Sequence, residues 1–248
     1  MLTVILAASG FVSAQTVSTW TTRGDRSALL KAGPGLVMEP VSADTGKPGI
    51  TVDPEKTFQK MDGFGFALTG GSAQHLMRMQ ASARHRLLES LFAPDPQGLG
   101  ISYLRVSIGS SDLNDHTFSY DDLPEGETDT ALKAFNLAED TADVVPVLKE
   151  ILAISPSIQI LASPWSAPVW MKTNHAIQGG HLQTRYYPVY ARYFVRYLRA
   201  MQHQGIHINA VTVQNEPFND GNTPSMQFFA KEELAFVKND LGLVLYHE

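Results

Sequence analysis

Four times after residue 58, a short apolar segment is followed by segments of helical periodicity. The predicted strands cover residues 64–68, 101–107, 158–163 and 210–214. The predicted helices cover residues 73–79, 82–92, 141–154, 187–202 and 231–240. Because short buried strands joined by helical crossovers form parallel sheets, this order predicts an α/β chain with a helix-covered parallel sheet.

Polar and aromatic residues follow three of the predicted strands. Asp112 comes shortly after the second strand, Trp165 directly after the third, and Asn215 with Glu216 after the fourth. A doubly wound sheet and a (β/α)8 TIM barrel both fit this order, but a barrel gathers its strand ends in one mouth, where active sites lie. A complete barrel takes about 250 residues. We therefore predict a partial (β/α)8 TIM barrel, with about its first four β/α repeats, over residues 58–248.

The residues before the predicted barrel fall into two segments. Residues 15–57 are rich in Thr, Ser, Gly and Pro and contain short β-like runs, which predict strands of a side β-domain. Residues 2–8 are apolar, and Val12-Ser13-Ala14 is similar to a signal-peptidase site. Residues 1–14 are therefore predicted to be the remnant of a secretory signal, and the protein to be secreted or periplasmic. The alternative is a first core strand, since the basic start of a signal peptide is missing.

Composition excludes several classes of function. The net charge of −6, with scattered Lys and Arg, argues against nucleic acid as a partner. Without cysteine there is no disulfide, thiolate metal site or Cys nucleophile. The eight histidines form no H-E-x-x-H motif, and neither a G-x-S-x-G elbow nor a phosphate-binding glycine loop is present. We therefore expect no metal and no cofactor. We also expect no membrane span, because no segment approaches about 18 unbroken apolar residues.

The strand over residues 210–214 ends in Asn215-Glu216-Pro217. Cleavage of a glycoside needs one carboxylic acid to protonate the leaving oxygen and a second carboxylate as nucleophile or base. An Asn beside the acid can hydrogen-bond the sugar 2-hydroxyl. Glu216 is therefore the candidate catalytic residue and Asn215 a candidate substrate-binding residue. The alternative is that this three-residue motif is a turn in which the Glu has no catalytic role.

Two tryptophans lie in the proline-containing segment after the third strand. Trp165 lies between Pro164 and Pro168, and Trp170 follows five residues later. An indole can stack on the C–H face of a pyranose, and its N–H can donate to a hydroxyl. For Trp165 we favour sugar binding over a core position. For Trp170 the two interpretations are equally weighted.

The second predicted strand carries Arg105 and is followed by Asp112. A cation within an apolar strand needs a partner, and a catalytic carboxylate would serve and be kept ionised by it. A structural ion pair is the equal alternative for Arg105. Asp112 either binds sugar hydroxyls, which we favour, or caps a loop.

These motifs together resemble glycoside hydrolase family 30, the family of glucosylceramidases and β-1,6-glucanases. The resemblance runs from about residue 58 to residue 242. Its motifs are Gly63-Phe-Gly with Leu68-Thr-Gly, Leu104-Arg-Val, the segments 161–174 and 190–195, and Val211-Thr-Val-Gln-Asn-Glu-Pro.

The resemblance implies a barrel with a side β-sandwich and cleavage with retention at β-glucosyl linkages of a glucoside, glucan or glycolipid. It implies that Glu216 is the acid/base, that Asn215 contacts the 2-hydroxyl, and that Asp112 and Trp165 bind the terminal glucose. Arg105 would support the catalytic carboxylates, and Trp170 would support the site.

One departure from the family pattern affects the expected activity. In the family the nucleophile is a Glu after strand seven, whereas this sequence extends only through the fourth helix. The missing partner is then the second half of the barrel, and we expect the 248-residue chain alone to be poorly soluble and inactive. The alternative function is that of a non-catalytic carbohydrate-binding fragment. An esterase or a dehydrogenase is disfavoured.

Overall fold

The computed structural model describes residues 16–37, 53–95, 98–137 and 139–246. The predicted signal remnant, residues 1–14, lies outside the described residues. The chain divides into two compact units, Met1–Phe58 and Gln59–Glu248. No helix among the described residues is long and apolar enough to cross a membrane.

The first unit contains two short antiparallel ladders. Strand β1 (Thr16–Val17) pairs with β4 (Leu36–Val37), and β2 (Trp20–Thr21) pairs with β3 (Lys31–Ala32). All eight residues of these strands are solvent-exposed. The β2–β3 pair lies between β1 and β4 in the sequence, which is the strand order of a long hairpin.

The second unit is built on a four-stranded parallel sheet. Its strands lie in chain order: β5 (Gly65–Leu68), β6 (Tyr103–Ile108), β7 (Gln159–Pro164) and β8 (Ala210–Val211). The register pairs Ala67 with Arg105 and Arg105 with Leu161. Since all four carboxyl ends point the same way, the loops that follow them lie at one edge of the sheet.

Strand β8 is shorter than the predicted strand over residues 210–214, because the chain bulges away from β7. The Thr212 N–H donates to the Ala162 carbonyl at 2.9 Å, and the Asn215 N–H to the Pro164 carbonyl at 2.8 Å. Three residues of chain after β8 thus span two residues of β7. An inserted residue of this kind interrupts a regular ladder and re-aims the side chains beyond it.

The helices follow the predicted order. They are α1 (Gly70–Arg78), α2 (Ala81–Phe92), α3 (Val144–Ile154), α4 (Tyr187–His203), α5 (Ala230–Phe236) and α6 (Gly242–Tyr246). Thr69 caps α1 by accepting the Ser72 N–H at 3.2 Å. Pro146 lies in the first turn of α3, where proline is tolerated. Gly205 follows α4 with a φ of +79°, as expected of a glycine that ends a helix.

The predicted end of the last helix near Asp240 is wrong. A π-helical turn, Val237–Leu241, joins α5 to α6. The Gly242 N–H donates to the Val237 carbonyl, so the helical backbone continues to Tyr246. A π turn contains one residue more than an α-helical turn, so the apolar residues beyond it no longer follow the 3.6-residue period of the preceding helix. The continuation to Tyr246 was therefore not predicted from the sequence.

Helix α4 supplies much of the core between the sheet and its neighbours. Its apolar face packs inward: Tyr190, Phe194, Tyr197 and Met201 are buried and Leu198 is partly buried. The arginines of α4 lie on the exposed side. Phe236 of α5 packs against Tyr190 with ring centroids 5.6 Å apart, which fixes the last helix to α4.

Candidate active site

Glu216 lies at the carboxyl end of the fourth barrel strand in an unusual backbone conformation. Its φ is +46°, a region that costs a non-glycine residue free energy. Its carbonyl accepts the Asn219 N–H at 2.9 Å, which closes a tight turn over residues 216–219. Its carboxylate Oε2 accepts Nδ2 of Asn219 at 3.0 Å and Nδ2 of Asn222 at 3.1 Å. The side chain is exposed but held in place by two amides.

Arg105 projects from the second barrel strand towards the same edge. Its Nη2 donates to Asn215 Oδ1 at 2.7 Å and to Ser163 Oγ at 3.0 Å. Burial lowers the pKa of Arg105, while the charges of Asp112 and Glu216 raise it. The hydrogen-bond partners found for Arg105 are thus neutral oxygens, and the two carboxylates act on it through their charge at longer range. No ion pair of Arg105 is found in the described part of the chain.

Trp165 is buried beneath this cluster. Its side chain is 6% exposed, and the Arg105 guanidinium lies over its ring, 4.6 Å from the centroid. Among the described residues, the buried indole Nε1 has no hydrogen-bond partner. A buried donor without a partner is costly, which makes this N–H a candidate to donate to a ligand hydroxyl. The indole face, in contrast, is occupied by Arg105 rather than open for stacking.

Trp170 is a core residue. It is 4% exposed, its Nε1 donates to the Asp121 carbonyl at 3.0 Å, and its ring packs edge-on against Tyr186 at 5.1 Å. Its indole N–H is already satisfied, in contrast to that of Trp165. Trp170 therefore supports the loop after β7 from below.

Asp112 is joined to Glu216 through one amide. Its Oδ2 lies 3.4 Å from Nδ2 of Asn222, the same nitrogen that contacts Glu216. Asp112 is exposed at the mouth, on the loop that follows β6. The structure thus brings five predicted residues to one edge of the sheet: Arg105, Asp112, Trp165, Asn215 and Glu216.

Sequence reasoning missed several residues that shape this site. Asn219 and Asn222 orient Glu216, and Gln214 donates to the Trp165 carbonyl at 2.7 Å. Asn219 could have been identified from the sequence, because it lies three residues after Glu216, a spacing at which a turn brings two residues together. Nothing in the sequence marked Gln214, whose contact depends on how two loops meet.

Lys172 was also missed as a structural element. It is fully buried, and its Nζ donates to the carbonyls of Ala176 at 2.6 Å, Ile177 at 3.0 Å and Ser225 at 2.7 Å. Burial lowers its pKa to about 7. The ammonium ties the loop after β7 to the loop that carries Glu216.

The described residues contain no group of three or more side chains suited to hold a metal ion. His181, in the loop after β7, lies 3.3 Å from Glu232. Glu232 also accepts the Phe229 N–H at 2.7 Å at the start of α5. These two residues therefore fix a helix terminus.

The glycosyl hydrolase family 30 TIM-barrel domain matches residues 61–247 of the chain. The chain belongs to glycoside hydrolase family 30. Its four parallel strands with covering helices are part of that family's (β/α)8 barrel, as predicted. The family is a glycosidase family, and its named relatives are β-glucanases and glucosylceramidases.

Named relatives of this family 30 chain fall into two groups. An endo-1,6-β-D-glucanase of Neurospora crassa is 37% identical over 81% of this chain and 44% of its own length. The lysosomal acid glucosylceramidase of Mus musculus is 33% identical over 79% of this chain and 39% of its own. A solved endo-β1,6-glucanase superposes with a TM-score of 0.83 at 36% identity, over 93% of this chain and 50% of its own. The chain spans about half the length of the proteins that it matches.

Proposed function

We propose that this chain carries the acid/base side of the active site of a retaining β-glycoside hydrolase, with Glu216 as the acid/base. The observation that carries the proposal is the double hydrogen bond from Asn219 and Asn222 to the Glu216 carboxylate. Both amides hold the carboxylate at the mouth of the barrel, beside the Arg105–Asn215 pair. A general acid must lie within hydrogen-bond reach of the leaving oxygen, and only then does its pKa affect the rate.

The proposed reaction uses Glu216 twice. In the first step the protonated Glu216 gives its proton to the glycosidic oxygen as the bond from that oxygen to the anomeric carbon breaks. A second carboxylate attacks the anomeric carbon and forms a glycosyl-enzyme. In the second step the Glu216 carboxylate takes a proton from the water that attacks this carbon, and the nucleophile leaves. We place the nucleophile on a later strand, as the family pattern implies, and assign the role to none of the described residues.

The other site residues would position the terminal sugar. The Asn215 oxygen accepts from Arg105, which leaves the amide NH2 to donate to the 2-hydroxyl. The unpartnered Trp165 indole N–H would donate to another hydroxyl. Asp112, exposed at the mouth, would accept from sugar hydroxyls while the Asn222 amide steadies it.

We propose a β-glucosyl linkage of a polysaccharide as the substrate. The named glucanases support this choice through higher identity than the named glucosylceramidase and through the TM-score of 0.83. A glycolipid glucoside is the competing substrate. A secreted or periplasmic location would suit a polysaccharide substrate, and the apolar run of residues 2–8 supports that proposal.

Glu216→Gln kinetics on aryl β-glucosides test the role of Glu216, in a protein that carries the complete barrel. Poor leaving groups need protonation and good ones do not, so the variant should lose roughly a hundredfold or more of kcat/KM on poor leaving groups and far less on good ones. Glu125→Gln is the matched control, because Glu125 is exposed in another loop. Equal losses on both classes of substrate would contradict the assignment.

A hydrolysis assay of the 248-residue chain alone distinguishes an enzyme from a carbohydrate-binding fragment. Among the described residues, Asp112 is the further carboxylate hydrogen-bonded to the Glu216 cluster, and we assign it to sugar binding. Without a nucleophile, a chain of this length would bind sugar without turnover. Hydrolysis of an aryl β-glucoside by this chain alone would contradict the proposal that its nucleophile lies elsewhere.

A further inference from the structure

Phe218 is an aromatic side chain two residues after Glu216 that the proposed reaction does not use. It is 68% exposed. It lies at the corner of the turn that the Asn219 N–H closes on the Glu216 carbonyl. A large apolar side chain that is held open to solvent beside a catalytic carboxylate is a candidate for contact with the substrate.

Phe218 is supported on one face by a second ring. Its centroid lies 5.8 Å from that of Phe229, with an interplanar angle of 23°. Phe229 in turn packs edge-on against His181 at 5.1 Å. The Phe228 N–H donates to the Pro217 carbonyl at 3.0 Å, which ties the turn to the chain before α5. Phe218 is thus a braced ring with one covered face.

Two different clusters meet at Glu216. One cluster contains the polar groups that would hold the terminal sugar, with Arg105 bonded to Asn215 and lying over the Trp165 ring. The other is the Phe218–Phe229 pair, whose ring contacts in the described part of the chain are with each other and with His181. The acid must face the glycosidic oxygen, which has one sugar on each side. Because Phe218 lies two residues from the acid and outside the cluster that would hold the terminal sugar, it is a candidate for contact with the sugar that departs.

The surroundings of Phe218 favour a sugar over a lipid chain. The residues that follow it, Asn219 to Asn222, are polar or glycine and line the exposed turn. An aromatic ring presents a flat apolar face to the C–H groups of a pyranose, and polar neighbours can bond its hydroxyls. An alkyl chain would need an extended apolar groove instead.

We propose that Phe218, backed by Phe229, is the binding platform for the leaving-group pyranose, so that the substrate is a glycan rather than an alkyl or lipid glucoside. The inference rests on the proposed role of Glu216 as the acid/base. It makes Phe218 a specificity-determining residue for the leaving group, separate from the residues around Trp165.

Ligand-observed NMR titration tests the proposal in a protein that carries the complete barrel, with Glu216→Gln to prevent turnover of the disaccharide. The probes are glucose, the β-1,6-linked glucose disaccharide and octyl β-glucoside. Phe218→Ala should weaken binding of the disaccharide by roughly three- to tenfold and leave glucose unchanged. Phe218→Trp should keep the affinity within about twofold. Phe64→Ala is the matched control, because Phe64 is 69% exposed and precedes β5, at the opposite end of the strands.

The outcomes separate this proposal from the proposed function. Unchanged disaccharide binding in Phe218→Ala, with glucose still bound, would overturn the platform and leave the role of Glu216 intact. A loss confined to octyl β-glucoside would overturn the choice of a glycan. If the complete-barrel protein with Phe218 intact binds none of the three sugars, the proposed function and the platform are both contradicted. Circular dichroism of each variant distinguishes lost binding from lost folding.

Discussion

Arg105 Nη2 donates to Asn215 Oδ1 at 2.7 Å, so a side chain of the second barrel strand fixes the residue beside Glu216 at the end of the fourth. The same nitrogen donates to Ser163 Oγ on the intervening strand at 3.0 Å. Three strands therefore determine where the Asn215 amide points. Because a guanidinium only donates, the Asn215 oxygen must face Arg105 and its NH2 must face away, towards the mouth.

A double-mutant cycle should detect this bond. Arg105→Met and Asn215→Ala should each destabilise the chain, and together by about 1–2 kcal/mol less than the sum, because the second change removes a partner that is already lost. Urea unfolding gives the four free energies. Arg78→Met, at an exposed position of α1, is the control. Additive losses would show that the contact contributes nothing.

Asn222→Ala should impair the site without unfolding it. Its amide contacts both Glu216 and Asp112, so its loss removes this contact from Asp112 and leaves Asn219 as the remaining amide donor to Glu216. We expect kcat/KM on aryl β-glucosides to fall by about tenfold in a protein with the complete barrel, since one charge-assisted hydrogen bond contributes on the order of 1.5 kcal/mol. Asn239→Ala, at an exposed position of the π turn, should keep full activity. Activity equal to that control would refute the bridging role.

Lys172→Met should loosen the two loops that the ammonium joins. The change leaves the carbonyls of Ala176, Ile177 and Ser225 without their donor, which should cost about 2–4 kcal/mol of unfolding free energy. Hydrogen exchange should quicken at the Gln227 amide, which donates to the Gly180 carbonyl across the same loops. Lys231→Met, at an exposed position of α5, should change neither quantity.

Asp140 gives a pH dependence with a defined sign. Burial raises its pKa to about 7, although the hydrogen bond from the Tyr120 hydroxyl opposes this. The unfolded chain would bind that proton only below about pH 4. The raised pKa therefore contributes stability that is present below pH 4 and lost as the pH rises towards 7.

Asp140→Asn keeps an acceptor for Tyr120 but cannot ionise. It should exceed the unsubstituted chain in stability by about 1–3 kcal/mol at pH 8, with the difference vanishing near pH 4. Thermal unfolding between pH 4 and pH 8 measures this. Asp62→Asn, at an exposed position, provides the matched control. A constant difference across the range would contradict a buried, titrating Asp140.

The order of strands and helices could be predicted because it depends on local periodicity. The helices predicted over residues 141–154 and 187–202 correspond to α3 and α4, because their apolar residues recur at helical spacing. Prediction failed where the backbone departs from a regular period. The bulge after Val211 and the π turn after Phe236 each insert a residue, and an inserted residue shifts every later side chain to another face.

The sequence by itself determined that a carboxylate follows the fourth strand and that Asp112 and Trp165 follow the second and third. The tertiary structure decided what surrounds them. It placed Arg105 over the Trp165 ring, left the buried indole N–H without a partner among the described residues, and brought Asn219 and Asn222 to Glu216. The physical reason is that apolar burial repeats along the chain and can be counted, whereas a hydrogen bond between two loops depends on distances that exist only once the strands are side by side.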